Sequence, residues 1–406
     1  MRDDDRALAR DAALNAALNA ALNAANHDLE RTVPGSLGRR EWLALGVAGA
    51  TAFAARRLLG QRVGTAAEPT AARGLVIRNA RALDAEAPLS ALGAFETAPE
   101  HFFVRSHFGP PVQLPLAWTL TIDGRVSRPV TLSLDEIRRM GGQSRPVTLE
   151  CAGNGRGAFR LPKTSGVQWE YGAVSNATWT GVPLGALLER AGLTTQAQHL
   201  WMEALDHAPG VGVPKFLRSI PRDVALGQAF VAYAMNGRAI PLLHGGPLRI
   251  IVPGWFGMAS TKWLTHVHAM PTESDNYFMS HGYRYADGSG VTTMRPKSVI
   301  ASPLADQRVR AGRLTMRGQA WSGSGGVRAV DVSSDAGHSW RAARLLGAAQ
   351  PGAWRTWEAD VDLRPGVALL MARATDSSGA IQPMQAATNP GGFANNSIHG
   401  VTIHVA

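Results

Sequence analysis

A single cysteine, Cys151, is found in 406 residues. This excludes an intramolecular disulfide and any zinc or iron–sulfur centre built from several cysteines. No Cys-x-x-Cys-His run occurs, so covalent haem attachment is excluded too. The apolar run over 42–55 is too short to span a membrane as a helix, which needs ~20 residues. Only Lys163, Lys215, Lys262 and Lys297 are lysines, so the net charge of +10 is carried almost wholly by arginine. The basic residues are scattered singly, with no basic helix, zinc-finger spacing or aromatic-studded RNA motif. That pattern argues against nucleic acid as the partner. An anionic cofactor and an anionic substrate account for the charge better.

Hydrophobic content of 45% and charged content of 18% suit a folded, globular chain. The length allows two domains plus a leader. The most informative stretch is Leu149-Glu150-Cys151-Ala152-Gly153-Asn154-Gly155-Arg156. A lone thiol is a small core hydrophobe, a nucleophile, or a single ligand to a metal held mainly by something else. Small neighbours favour the last two readings, because glycine lets backbone approach a bulky ligand. Arg156 is expected to favour the thiolate.

Residues 1–72 read as leader. Positions 12–25 form a low-complexity Ala-Leu-Asn-Ala repeat. Arg39-Arg40 directly precede the apolar run, an arrangement expected of a twin-arginine export signal and therefore of a periplasmic protein exported already folded; an amphipathic or hydrophobic anchor that is never cleaved is the alternative.

From 73 to 295, short strands alternate with helical segments without regular βαβ spacing, which predicts an α+β domain. Positions 118–122 and 248–252 read as strands, and 134–140 and 183–191 as helices. From 296 to 406 the pattern becomes a series of alternating strands punctuated by turns such as Asp335-Ala336-Gly337. This predicts an immunoglobulin-like β-sandwich.

The Cys-Ala-Gly-Asn bend resembles the sulfite oxidase family of molybdenum enzymes. So does the order of polar motifs along the chain: His101 to His107, Glu203-Ala204-Leu205-Asp206, the block from His244 to Arg249, and Ser260-Thr261-Lys262. The resemblance implies a molybdopterin-binding domain followed by a dimerisation domain, with molybdenum-molybdopterin as cofactor. It implies Cys151 as the one protein ligand to the metal. It also implies Phe103, Val104, Arg105, Ser106, His107, Asp206, His244, Arg249, Ser260, Thr261 and Lys262 around the pterin and its phosphate. Tyr283, Arg105, Arg156 and Trp169 are implied at the substrate.

The activity so implied is oxidation of sulfite to sulfate by a homodimer. Electrons leave to a separate acceptor such as cytochrome c, since the chain has no haem motif. The stretch 389–396 contains no arginine, whereas many family members place one there to complete the anion pocket. A related sulfur-compound dehydrogenase or sulfoxide reductase is therefore the alternative, and a non-catalytic exported binding protein is the second.

Overall fold

Two five-stranded sheets form the frame of the amino-terminal half. In the first, Arg238–Ala239, Phe230–Met235, Val174–Pro183 and Gln143–Glu150 lie side by side, and Arg249–Ile251 also pairs with Phe230–Met235; all these pairings are antiparallel. The second runs Val130–Ser133, Thr119–Gly124, Leu264–Met270, His199–Ala204, Leu217–Pro221, with Thr119–Gly124 parallel to Leu264–Met270. A computed structural model describes residues 74–159, 163–210 and 212–406. The repeat, arginine pair and apolar run expected before residue 73 lie outside the described residues. Among those described, no helix is long and apolar enough to cross a membrane.

The helices sit where local chemistry favours them. Leu134–Arg139 begins at a capping box: Ser133 Oγ accepts from the Glu136 amide at 3.2 Å, and Glu136 Oε2 accepts from the Ser133 amide at 2.8 Å. Leu184–Ala191 buries Leu184, Leu187, Leu188 and Ala191, a helical spacing that makes one apolar face. It stops at Gly192, whose φ of +70° is left-handed, and where a Cβ would come within 2.0 Å of Ser127 Oγ. These faces close a core with Leu120, Leu200, Ile250 and Val267.

Beyond residue 296 two more sheets follow. One orders Lys297–Ser302, Gly312–Trp321, Arg355–Leu363 and Arg344–Leu345. The other orders Arg308–Val309, His399–Val405, Gly366–Asp376, Val327–Ser333 and Arg341–Ala342. Alternate residues of both, among them Met316, Trp357, Val330, Leu370 and Ile403, form one buried cluster. That is the sandwich the alternation predicted. The described residues up to Ala208 and from Pro214 onward make a single compact unit.

One buried ion pair joins the two halves. Lys297 Nζ lies 3.1 Å from Glu150 Oε1 and donates at 3.1 Å to the Asn154 carbonyl. Trp321 Nε1 donates to the other Glu150 oxygen at 2.9 Å, and Asn154 Nδ2 donates to Oε1 at 3.0 Å. Glu150 and Lys297 are 2% and 1% exposed. Removing one partner of such a pair leaves a buried charge alone, at a cost of about 3–5 kcal/mol, whereas replacing both is far milder. Lys297→Met should therefore lower unfolding free energy by that amount in urea titrations, and adding Glu150→Gln should recover most of it. A fully stable single variant would contradict the brace.

Candidate active site

The strand Gln143–Glu150 delivers Cys151 at its carboxyl end, where the Cys151 amide donates to Ala173 at 2.9 Å. The chain then reverses through Gly155, which has a φ of +86°, into the short turn Arg156–Ala158. Asn154 holds the bend closed by accepting from the Ala173 amide at 3.1 Å. Cys151 opens onto a cavity. Its thiol is pushed up by burial, against the opposing pulls of Arg105, the Gly153 amide and Arg156. Arg156 pulls toward the thiolate as expected, but desolvation outweighs both arginines. Losing the proton has to accompany metal binding.

The cavity gathers residues from six separate stretches. Phe103, Arg105, Ser106, His107, Cys151, Asp206, His244, Arg249, Ser260, Thr261, Lys262 and Tyr283 all line it. Three of the expected residues do not. Val104 is 1% exposed and pairs with Ala85 through its backbone. Trp169 is fully buried in the wall beside Phe102, Phe103 and Leu149. Arg156 points its two terminal amino groups at the carbonyls of Val167 and Gly391, at 3.1 and 3.0 Å. The glycine at 153 makes room for that fork, since a Cβ there would come within 2.8 Å of the guanidinium.

The deep end is cationic. Arg249 is 3% exposed; it donates to the His244 carbonyl at 2.6 Å and the Ser260 carbonyl at 2.8 Å, while its Nε has no acceptor. Thr261 Oγ1 is likewise buried without a partner. Lys262 Nζ donates to the Leu243 carbonyl at 2.8 Å, and burial lowers its pKa to about 7. Burial raises Asp206 to about 6, against the pull of Lys262. Cations and an idle hydroxyl with one carboxylate among them suit a phosphate ester, which supplies the missing charge and acceptors. Phe102, Phe103, Leu149, Met258 and Trp263 add flat apolar walls, and Asp206 an acceptor. The residues present therefore fit a phosphorylated pterin whose sulfurs share a metal with Cys151.

Two expected phosphate donors are already engaged. The Ser260 amide donates to Gly257 at 3.0 Å. His244 spends its Nε2–H on the Pro99 carbonyl at 2.8 Å, and burial holds it neutral, with a pKa of about 3. Only an Nδ1 lone pair is left, so His244 donates to a phosphate only after taking a second proton.

At the other end the hydrogen bonds have a fixed direction. Arg105 donates to Asp84 Oδ1 at 3.0 Å and to the Ser106 carbonyl at 2.6 Å. Its second amino group lies 3.1 Å from His107 Nδ1. A guanidinium only donates, so Nδ1 must accept and the His107 proton sits on Nε2. That proton is donated to the Tyr283 oxygen at 2.9 Å. The Tyr283 hydroxyl proton is then free to point into the cavity. Burial, with Arg105 and Arg218, drives the His107 pKa down to about 2, so the chain keeps this polarity at neutral pH. His107 lines the cavity, and its two ring nitrogens are taken up by Arg105 and Tyr283.

Asp84 and Arg218 were missed by sequence reasoning. Asp84 is fully buried on a hairpin strand, Asp84–Glu86, 21 positions before its partner Arg105. Nothing local distinguishes it from any acid before a turn.

Comparison with known proteins agrees with this geometry. The oxidoreductase molybdopterin binding domain family matches residues 107–278, and the Mo-co oxidoreductase dimerisation domain family matches residues 289–406. Sulfite oxidase of Gallus gallus is 36% identical over 345 residues, 78% of this chain and 75% of that protein. The chain belongs to the sulfite oxidase family. The mitochondrial sulfite oxidase of Homo sapiens is 30% identical over 370 residues, covering 84% of this chain and 67% of that one. Among solved structures, the sulfane dehydrogenase SoxCD from Paracoccus pantotrophus superposes with a TM-score of 0.71 at 28% identity, covering 85% of this chain and 95% of that one. Membership makes this a molybdopterin-dependent oxidoreductase with an α+β cofactor domain and a β-sandwich dimerisation domain.

The buried lysine makes stability depend on pH. A lysine depressed to about 7 holds its proton less firmly in the folded than in the unfolded chain. Between about pH 7 and 10 the unfolded chain binds more protons, so stability rises with pH in that window. The thermal midpoint of cofactor-free protein should climb from pH 7 to 9.5. The climb should shrink in Lys262→Met, and also in loaded protein, where phosphate pairs with the ammonium. A flat profile in the cofactor-free wild type would contradict the assignment.

Proposed function

We propose that this enzyme oxidises sulfite to sulfate and passes the electrons to a separate acceptor, a cytochrome c. The observation that carries the reading is the directed chain Asp84–Arg105–His107–Tyr283. It presents an arginine and a terminal hydroxyl donor to the cavity that Cys151 also lines. When bound, the molybdenum-molybdopterin group supplies a two-electron centre for sulfur oxidation. Arg105 pairs with the sulfite oxygens, and Tyr283 donates a hydrogen bond to the substrate and holds a proton at its hydroxyl. The apolar walls of Phe102, Phe103 and Leu149 exclude water, which strengthens these contacts. The protein acts as a homodimer through its β-sandwich domain. Arg39-Arg40 route it, already loaded, to the periplasm.

A second reading rests on Phe393. Its ring stacks on Tyr283 with centroids 5.4 Å apart, and the Arg156 guanidinium lies 5.5 Å from it. An aromatic ring here supplies no countercharge for a second oxyanion group. This favours a softer sulfur donor, such as the sulfane sulfur named for the SoxCD relative.

Sulfite-dependent reduction of cytochrome c tests the first reading. Hydrogen bonds to charged groups contribute ~1.5–3 kcal/mol, so Arg105→Gln should raise KM for sulfite roughly ten- to a hundredfold. Tyr283→Phe should lower kcat and leave KM close to wild type. Wild-type protein that ignores sulfite but oxidises thiosulfate would overturn sulfite in favour of the second reading. Changing Arg39 and Arg40 to lysine should trap loaded, active enzyme in the cytoplasm; normal export of that variant would contradict the route.

A further inference from the structure

Arg218 is a buried charge that none of the roles above uses. It stands on the strand Leu217–Pro221 and is 3% exposed. One terminal amino group donates to the Phe278 carbonyl, and Nε is buried with no acceptor at all. Among the described residues no carboxylate lies within ion-pair distance. Glu273, the acid whose charge it feels, is paired with Arg284. Keeping a guanidinium out of water without a counter-ion is costly. A structural need for one donor to a carbonyl would be met by a neutral amide.

The neighbourhood suggests what the charge does. The guanidinium carbon lies 5.0 Å from the centre of the Tyr283 ring. Tyr283 lines the cavity and receives the His107 proton on its oxygen. His107 in turn packs against the rings of Phe216 and Phe278, with centroids at 4.8 and 4.6 Å. A cation over a phenol ring draws density from it and strengthens the hydroxyl as a donor.

We propose that Arg218 is a positioning residue for the sulfur chemistry: fixed over the Tyr283 ring, it polarises the phenol so that its hydroxyl donates strongly to an anionic sulfur substrate in the cavity. This deepens, and rests on, the reading of the cavity as a sulfur-oxidising site. Arg218 also helps keep His107 neutral, together with burial and Arg105, and so protects the direction of the hydrogen-bond chain. The other charged or titratable groups felt at Tyr283 are Arg105, Cys151 and Arg156. Of the three guanidiniums, Arg218 is the one packed against the ring.

A double-mutant cycle on molybdopterin-loaded protein tests this, using Arg218→Gln, Arg218→Lys, Tyr283→Phe and the Arg218→Gln/Tyr283→Phe pair. Arg218→Gln should lower kcat with sulfite on the order of tenfold, with KM moving much less. Arg218→Lys should restore part of the loss. In the Tyr283→Phe background Arg218→Gln should cost nothing further, because its effect passes through that hydroxyl. Sulfate binding, followed by calorimetry, should weaken roughly threefold on Arg218→Gln, and only when Tyr283 is present. The thermal midpoint of Arg218→Gln should match or exceed wild type, since an unpaired buried charge has gone.

An unchanged kcat, or an equal loss in both backgrounds, would overturn the proposal. So would a lower midpoint with full activity per folded molecule, which would make Arg218 a structural clasp. A wild type inert to sulfite would overturn the substrate reading instead, and the sulfate-binding cycle would then decide the role of Arg218.

Discussion

Excess positive charge enclosed around one cavity is the constraint on which the rest of this structure depends. Arg105, Arg218, Arg249 and Lys262 surround it, while Asp84 and Asp206 are the carboxylates that answer them. Burial lowers Arg249 to about 9 and Lys262 to about 7, the behaviour of cations without sufficient partners. A protein retains such groups where a ligand completes them. The charge is divided between two ends. Arg249 and Lys262 stand where a phosphate fits, and Arg105 and Arg218 stand near Tyr283, where an anionic substrate fits. The thiol of Cys151 lines the same cavity.

That division relies on a rigid bend, and the rigidity comes from the far half of the chain. Lys297 and Trp321, both from the β-sandwich, fix Glu150, the residue just before Cys151. Asn395 Nδ2 donates to the Gly155 carbonyl at 2.7 Å, and the Ala394 amide donates to Ala152 at 2.8 Å, so the 389–396 stretch clasps the same bend. The sandwich is thus more than a dimerisation module, because it sets the geometry from which Cys151 projects. It also explains Arg156. With Gly391 accepting from its fork, this arginine faces the clasp and not the cavity.

Much of this was legible in the sequence, and what was not has a common cause. Periodicity located Leu184–Ala191 and the strand Gly312–Trp321, because burial of one face leaves a regular signature. Motif order brought Cys151, Asp206, Arg249 and Lys262 to one cavity. Asp84, Arg218 and the Glu150–Lys297 pair were not legible. Each depends on a partner brought close only by the tertiary fold, 147 positions away in the case of Glu150 and Lys297. Hydrogen-bond direction escaped for the same reason. His107 and His244 look like phosphate donors in the sequence, yet Tyr283 and Pro99 have already claimed their Nε2 protons.

If the cationic residues of the cavity seat a phosphorylated pterin and Cys151 completes its metal, cofactor content must follow those residues. Metal and pterin analysis of purified wild-type, Cys151→Ser and Lys262→Met proteins tests it most directly. Wild-type protein should carry about one molybdenum and one pterin per chain; Cys151→Ser should retain pterin without turnover, and Lys262→Met, where the phosphate has lost a buried partner, should largely lose it. Wild-type protein carrying stoichiometric zinc or copper and no pterin would contradict it.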